Sequence, residues 1–298
     1  MEKRQFGKTD MMVSVLGFGG AEIGFQGVSV ADVETILNNA LDAGLNVIDT
    51  AECYENSEEM IGKTVSGRRD DYHLFTKCGH EKSYENGAWG KSQILSSIDR
   101  SLKRLNTDRL DLVLLHSCSE EELRKGEVIE ALQEAKAAGK TRYIGYSGDS
   151  SAALYAIESG AFDALQTSVN IADQEALELT LPKAQEKNMG VIAKRPVANV
   201  AWKEKTKPEY FYIQEYWERF QKLKYDFING NLSDEVSKAL RFTLSVPGVH
   251  TAIVGTTQKK RWQENAKMLE SGRLPENEFQ AIRKRWSEIA QRDWVGQI

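Results

Sequence analysis

The sequence predicts a closed α/β barrel of eight parallel strands, each followed by helix. Three observations carry the prediction. Eight short β-rich runs alternate with longer amphipathic stretches, at 13–19, 46–50, 73–78, 110–116, 143–147, 164–169, 191–195 and 251–256. Several runs are continuously apolar, such as Leu112-Val113-Leu114-Leu115, as parallel strands covered on both faces require. The 298 residues also suit one (β/α)8, or TIM, barrel, which typically takes about 250. Strand–helix alternation with short connections means a parallel sheet. Alternation alone also admits an open doubly wound sheet, but eight units in one chain favour closure.

The elements follow in order. The residues ahead of Val13 suit a small hairpin closing the barrel bottom. Val33, Ile36, Leu37, Ala40 and Leu41 then recur at helical spacing, as do Ile94, Ile98, Leu102 and Leu105, and later Ile129, Leu132 and Ala135. Gly44, Gly139, Gly160 and Gly190 stand between a helix and the next strand, where glycine can take the left-handed conformation of a helix C-cap. One long loop breaks the rhythm after the seventh strand. Residues 197–232 carry Trp202, Tyr210, Phe211, Tyr212, Tyr216, Trp217 and Phe220, and an insertion there lies on the catalytic face of a barrel. A helix starts near Ser233, and 275–294 reads as an extra C-terminal helix. Five prolines and no Ser/Gly-rich stretch leave little room for a flexible linker, so 1–298 is expected to form a single domain.

Composition excludes several classes of function. A net charge of −5 argues against nucleic acid as the main partner. No apolar run approaches the ~20 residues of a membrane span, and the N-terminal residues carry no apolar signal segment, so the cytoplasm is the expected compartment. Cys53, Cys78 and Cys118 form neither a CxxC nor an even disulfide framework. Together with His116 they fall near one rim, but packing is the simpler reading, and no metal is expected.

Chemistry in a parallel barrel collects at the C-terminal ends of the strands. Asp49 ends the second run, with Tyr54 just beyond. Lys77 ends the third, His116 the fourth and Ser147 the fifth, while Gln166 lies in the sixth. A phenol with its ordinary pKa of about 10 is a poor acid–base group at neutral pH. A nearby ammonium favours the phenolate, and a buried ammonium needs a carboxylate partner. A histidine can orient the oxygen of a bound carbonyl. Each residue alone has a plainer explanation: a helix cap for Asp49, packing for Tyr54, a satisfied core histidine for His116. Together on one rim they make a proton-donor system.

The same residues carry a resemblance. Asp49-Thr50-Ala51-Glu52-Cys53-Tyr54-Glu55-Asn56-Ser57-Glu58 resembles the aldo-keto reductase signature. Thr76-Lys77-Cys78, Leu114-Leu115-His116, Arg109-Leu110-Asp111-Leu112 and Tyr143-Ile144-Gly145-Tyr146-Ser147 resemble further motifs of that family, in the right order. The resemblance runs from about Lys3 to Asn265. It implies a (β/α)8 barrel and NAD(P)H-dependent carbonyl reduction, with Tyr54 as proton donor, Lys77 and Asp49 tuning it, and His116 orienting the substrate.

A dinucleotide would need an unusual seat. Gly17-Phe18-Gly19 begins like GxGxxG, but Glu22 stands where the third glycine should be, and there is no P-loop. The strongest local signal is residues 253–265, which read strand, turn, helix. Thr256, Thr257 and backbone amides at a helix N-terminus suit a phosphate. Lys259, Lys260 and Arg261 put three cations in the first helical turns, where a bound anion would offset their cost; a solvated basic surface is the alternative. The resemblance implies Arg261 and Thr256 on the adenosine 2′-phosphate and Glu264 and Asn265 on adenine, with Gly20, Gly255 and Thr257 in the same cofactor site. Gly255 replaces a lysine found in many members. Asp49, Ser147 and Gln166 match residues at the nicotinamide end, Asn170 completes that motif, and Gly148 replaces a common asparagine. Lys194-Arg195-Pro196 replaces Tyr-Ser-Pro. Arg195 could stack on nicotinamide, or Lys194 and Arg195 could meet the pyrophosphate. Trp89 and Trp217 are candidate substrate-pocket residues beside Tyr54 and His116.

The expected function is NADPH-preferring reduction of a small-molecule aldehyde or ketone to an alcohol, with NAD as a second candidate cofactor and no nucleic-acid or membrane partner. Two rivals remain open: an NADP-binding regulatory or sensor subunit with little turnover, and an unrelated barrel lyase or isomerase.

Overall fold

A computed structural model describes residues 1–81 and 89–297, except that the side chains of Phe211 and Tyr212 lie outside the described residues. Strands β1 (Lys3–Gln5) and β2 (Met12–Ser14) pair antiparallel, with Arg4 opposite Val13. The predicted first strand is thus two: Met12–Ser14 belongs to the bottom hairpin, and β3 (Leu16–Gly19) to the barrel. Then follow β4 (Val47–Asp49), β5 (His73–Cys78), β6 (Leu110–His116), β7 (Thr141–Ser147), β8 (Ala164–Ser168), β9 (Gly190–Lys194) and β10 (Thr251–Gly255). Among the described residues, these eight strands, β3 to β10, form a closed parallel barrel in sequence order, with β10 pairing both β9 and β3.

Helices return the chain between strands. They are α1 (Ala21–Phe25) and α2 (Val30–Asp42) after β3, α3 (Ser57–Val65) after β4, and α4 (Lys91–Arg104) after β5. Next come α5 (Glu120–Lys125) and α6 (Glu127–Ala137), α7 (Ser150–Ser159), then α8 (Glu175–Leu179) and α9 (Leu181–Glu186). The last are α10 (Phe211–Leu223) and α11 (Leu232–Ser245) after β9, and α12 (Arg261–Met268) and α13 (Glu276–Ile289) after β10. Local chemistry sets several starts: Ser29 accepts from the Asp32 amide, and Asn231 accepts from the amides of Ser233 and Asp234.

The barrel has two apolar layers. Val113 and Leu115 of β6 face outward into the layer shared with the helices, while Leu112 and Leu114 face inward. The inner cluster joins Phe6, Met11 and Val13 of the hairpin to Val47, Phe75, Ala164 and Ile192. Phe6 thereby plugs the bottom, stacked on Phe75 with ring centroids 5.7 Å apart.

Gly44, Gly139 and Gly160 take positive φ of 97°, 76° and 71°, as their place after helices predicts. Gly190 does not. It opens β9, and a Cβ there would lie 2.4 Å from the Phe6 ring. The left-handed residue of that turn is Asn188, at φ 48°. The insertion after β9 is also more ordered than a loop. It holds a 3-10 segment, Ala198–Lys203, and α10, whose Tyr216 and Phe220 are buried. The C-terminal helix stops at Ile289, and the residues beyond it run back over the barrel mouth. There Arg219 donates to the Val295 carbonyl at 2.7 Å, and Arg195 donates to that of Gln297. Among the described residues, no helix is long and apolar enough to cross a membrane.

Candidate active site

The strand ends bring the predicted residues together. Register pairs Gly19 with Asp49, His116 with Ser147, Ser147 with Gln166, and Gly255 with Gly19. Above them opens a cleft of about 1200 Å³. Gly20, Asp49, Tyr54, His116, Ser147, Gln166, Lys194 and Arg195 line one stretch of it. Gly255, Thr256, Thr257, Arg261, Glu264 and Asn265 line another.

A continuous polar chain crosses the cleft floor. The Lys77 ammonium donates to Asp49 Oδ1 at 2.5 Å and to the Thr50 carbonyl at 2.8 Å. Gln166 donates its amide to Asp49 Oδ2 at 2.8 Å, and Ser147 donates to Gln166 Oε1 at 3.1 Å. Lys77 and Asp49 are both 1 % exposed. Burial pushes the Asp49 carboxyl up, while the Lys77 charge and the Lys77 and Gln166 hydrogen bonds pull it down. The same ammonium lies 5.1 Å from the Tyr54 ring centroid. His116 meets the Tyr54 ring edge-on at 5.7 Å, and its Nδ1 is 3.5 Å from Cys53 Sγ. Burial, reinforced by the charges of Lys77, Lys194 and Arg195, holds His116 well below its ordinary pKa, so its ring is neutral at pH 7.

The signature that contains Asp49 and Tyr54 also braces the barrel. Glu52 accepts from Ser97 and from Arg100 Nε at 2.6 Å, and Glu58 accepts from Thr76 at 2.7 Å. These buried carboxylates lock the strand-end turn to α4 and β5, which fixes the backbone that carries Tyr54.

Lys194 and Arg195 both line the cleft, and both are engaged. Lys194 pairs with Asp149 Oδ2 at 2.7 Å. Asp149 also accepts from Thr167 Oγ1 at 2.6 Å and the Ser168 amide at 2.7 Å; despite burial, these partners keep its carboxyl below the ordinary range. Arg195, at φ 54°, donates to Ser168 Oγ at 3.2 Å and to the Gln297 carbonyl. Asn170 donates to the Arg195 carbonyl at 3.0 Å and so holds that turn. Ala198, Asn199 and Val200 follow at positive φ, a conformation disfavoured above all for β-branched valine.

At the far end, Thr256 Oγ1 accepts from the Gln258 amide at 3.0 Å and shapes the turn into α12. The Arg261 guanidinium donates to Gln258 Oε1 at 2.6 Å, and Lys259 pairs with Asp32 at 2.7 Å. Among the described residues, Asn265 Oδ1 is buried without a hydrogen-bond partner. An orphaned acceptor on the cleft wall fits an amino group such as that of adenine.

Neither Trp89 nor Trp217 is among the residues that line the cleft. Trp89 packs edge-on against His80 at 5.1 Å, and His80 against His116 at 5.8 Å, so Trp89 stands one ring behind the histidine. Trp217 donates to the Glu204 carbonyl at 2.9 Å within the insertion. Cys78 and Cys118 are buried thiols pushed up by burial, Cys118 to about 12. Among the described residues, no group of three or more His, Cys, Asp or Glu is placed to hold a metal ion.

Three features escaped sequence reasoning: the Asp149 partner of Lys194, the tail at Gln297, and Glu22. Asp149 had a signal, standing two residues beyond a strand-end serine. Glu22 registered only as a break in a glycine pattern, yet it lines the cleft against Gly255.

Comparison with known proteins finds a matching family and fold. The model of the Aldo/keto reductase family matches residues 15–287. An uncharacterized oxidoreductase of Bacillus subtilis, YqkF, is 28% identical over 300 residues, 95% of each chain. The solved holo form of aldo-keto reductase AKR11C1 from Bacillus halodurans superposes with a TM-score of 0.84 at 28% identity, over 99% of each chain. A Klebsiella pneumoniae aldo-keto reductase solved in complex with NADPH shares the fold, with a TM-score of 0.79 at 24% identity over the whole of both chains.

Proposed function

We propose, from the premise that the chain belongs to the Aldo/keto reductase family, that it is an NADP(H)-dependent oxidoreductase converting a small aldehyde or ketone to an alcohol. The observation that carries the reading is the buried Lys77–Asp49–Gln166–Ser147 chain beneath Tyr54 and His116.

Tyr54 is the proton donor to the carbonyl oxygen. Lys77, held by Asp49 near the Tyr54 ring, stabilises negative charge developing on the phenol oxygen as its proton leaves. His116, neutral through burial, donates a hydrogen bond that orients the carbonyl without competing as an acid. The residues of the cleft fit a dinucleotide. Ser147 and Gln166 would exchange their mutual hydrogen bond for the carboxamide, Thr256, Thr257 and Arg261 would hold the adenosine phosphate, and Glu264 and Asn265 the adenine. The bound nicotinamide would supply the hydride to the carbonyl carbon. NADPH is the preferred cofactor and NADH a second one, because Arg261 is present where Gly255 replaces a lysine.

The test is oxidation of NADPH with a panel of aldehydes, ketones and sugars. Carbonyl-dependent oxidation is expected. Tightly held NADPH without carbonyl-dependent oxidation would instead make the chain a regulatory subunit, and failure to bind any dinucleotide would move it to another barrel chemistry.

A further inference from the structure

Glu22 does not belong where an anionic ligand is to bind, and that is its interest. It lies in the first turn of α1, beyond the end of the first barrel strand, and reaches across to β10. An ideal Cβ on Gly255 would lie 1.5 Å from Glu22 Oε2, so the carboxylate occupies the space a side chain at 255 would fill. Any residue larger than glycine there must displace it. Gln26, one turn along, meets Thr257 Oγ1 at 3.4 Å and ties the same helix to the same loop. Among the described residues Glu22 forms no ion pair, and its own backbone amide is the hydrogen bond that favours its charged form; burial pushes its carboxyl up. A half-buried carboxylate that no cation offsets is a candidate ligand group.

Two of the three cations at 259–261 already have partners. Lys259 is paired with Asp32 at 2.7 Å, and Arg261 lies 2.6 Å from Gln258 Oε1 and 3.6 Å from Glu264 Oε2. The basic run 259–261 thus presents less positive charge to the cleft than its sequence promises, and Glu22 adds a negative charge one residue before Thr256.

In Rossmann dinucleotide sites a carboxylate beside the adenosine ribose accepts from the 2′-hydroxyl, whereas arginine accommodates a 2′-phosphate, and the same electrostatics apply wherever a carboxylate faces that group. We infer that Glu22 sets the cofactor selectivity of this cleft: seated on Gly255, it opposes a ribose 2′-phosphate and accepts from a ribose 2′-hydroxyl, so that a site with Arg261 also takes NADH. The inference rests on the reading of the cleft as a dinucleotide site.

The test is equilibrium binding of NADPH and of NADH, followed by quenching of tryptophan fluorescence, to the wild type, Glu22→Gln and Gly255→Ala. Removing a like charge from this wall of the cleft should tighten NADPH about tenfold. NADH should change by less than about threefold, since Gln still accepts. Gly255→Ala should move the selectivity ratio the same way by pushing the carboxylate aside, which provides a second variant should Glu22→Gln fold poorly. A ratio within twofold of wild type in both variants, or a shift toward NADH, overturns the role of Glu22 and leaves the dinucleotide site standing. A wild type that binds neither cofactor overturns the site itself, and this inference with it.

Discussion

Asp49 and Asp173 at the C-terminal end of the barrel and Asp111 at its N-terminal end are buried carboxylates compensated to opposite degrees. At the N-terminal end, Asp111 accepts from the Leu74 amide at 2.8 Å, from Arg69 at 2.7 Å and from Arg142 at 2.8 Å. Burial alone would raise its pKa, yet hydrogen bonds from His73, Leu74 and Arg142 and the charge of Arg69 hold it far below the ordinary range. At the C-terminal end, Asp49 has one lysine and one amide and is pushed up. Asp173, beside the insertion and the tail, is pushed up to about 7 by burial, against an Arg219 guanidinium 3.7 Å away. Among the described residues, Asp173 Oδ1 and Arg219 Nε are buried without hydrogen-bond partners. A saturated carboxylate serves stability. An under-compensated one keeps capacity for a ligand or a proton.

The sharpest way to break this contrast is Tyr54→Phe, which removes the transferable proton and keeps the ring. It should lower kcat by about 10²–10⁴-fold with NADPH binding intact. A variant keeping more than a third of kcat in a chemistry-limited reaction would take Tyr54 out of the mechanism.

Lys77→Met should reduce both activity and stability, because it strands the Asp49 carboxylate. Breaking a buried pair costs about 3–5 kcal/mol. Adding Asp49→Asn should recover part of the stability but not the activity. Strictly additive losses in urea denaturation would show that the two residues do not act as a pair.

Asp111→Asn is the matched test at the other end. It should lower stability by about 2–3 kcal/mol at pH 7 and leave kcat unchanged, since Asp111 does not line the cleft. Its folded pKa is depressed, so its contribution is full above the unfolded value of about 3.9 and is lost as pH falls below it. The deficit of the variant should therefore shrink in acid. A constant deficit from pH 7 to pH 3 would refute this assignment.

Asp173 should show the reverse slope and the smallest effect. Its folded pKa is raised, so the folded state holds a proton that the unfolded state loses near pH 4, and stability falls as pH rises from about 4 to about 7. Relative to Asp173→Asn, the wild type should lose ~1–3 kcal/mol between pH 5 and pH 8. Parallel stability curves over that range would mean that the carboxyl titrates normally.

The sequence discloses these two ends unequally. Alternating runs such as 110–116 announce parallel strands because both faces are buried, and strand ends then rank Asp49, Lys77, His116 and Ser147 without coordinates. The split of 13–19 into hairpin and barrel strand is invisible, because Val13 and Phe18 are equally apolar whichever layer they enter. Glu22 on Gly255 and Asp149 on Lys194 depend on approach across the barrel mouth, over 233 and 45 positions of sequence respectively, which no local pattern encodes. In α10 the buried positions Tyr216, Arg219, Phe220 and Leu223 keep helical spacing, but a buried arginine among them and the half-buried Trp217 beside them blur the apolar stripe in the sequence.

The Phe6 plug has a consequence for how the chain comes to be folded. Its ring rests on Gly190 and within a cluster that includes Ala164 and Ile192. The opening hairpin therefore cannot bury its apolar face until some 190 residues have been synthesised. At ribosomal rates of about 5–20 residues per second, that leaves it uncovered for roughly 10–40 s. Such long-range closure slows folding, and until it is made Phe6, Met11 and Val13 remain apolar surface on which the nascent chain can aggregate.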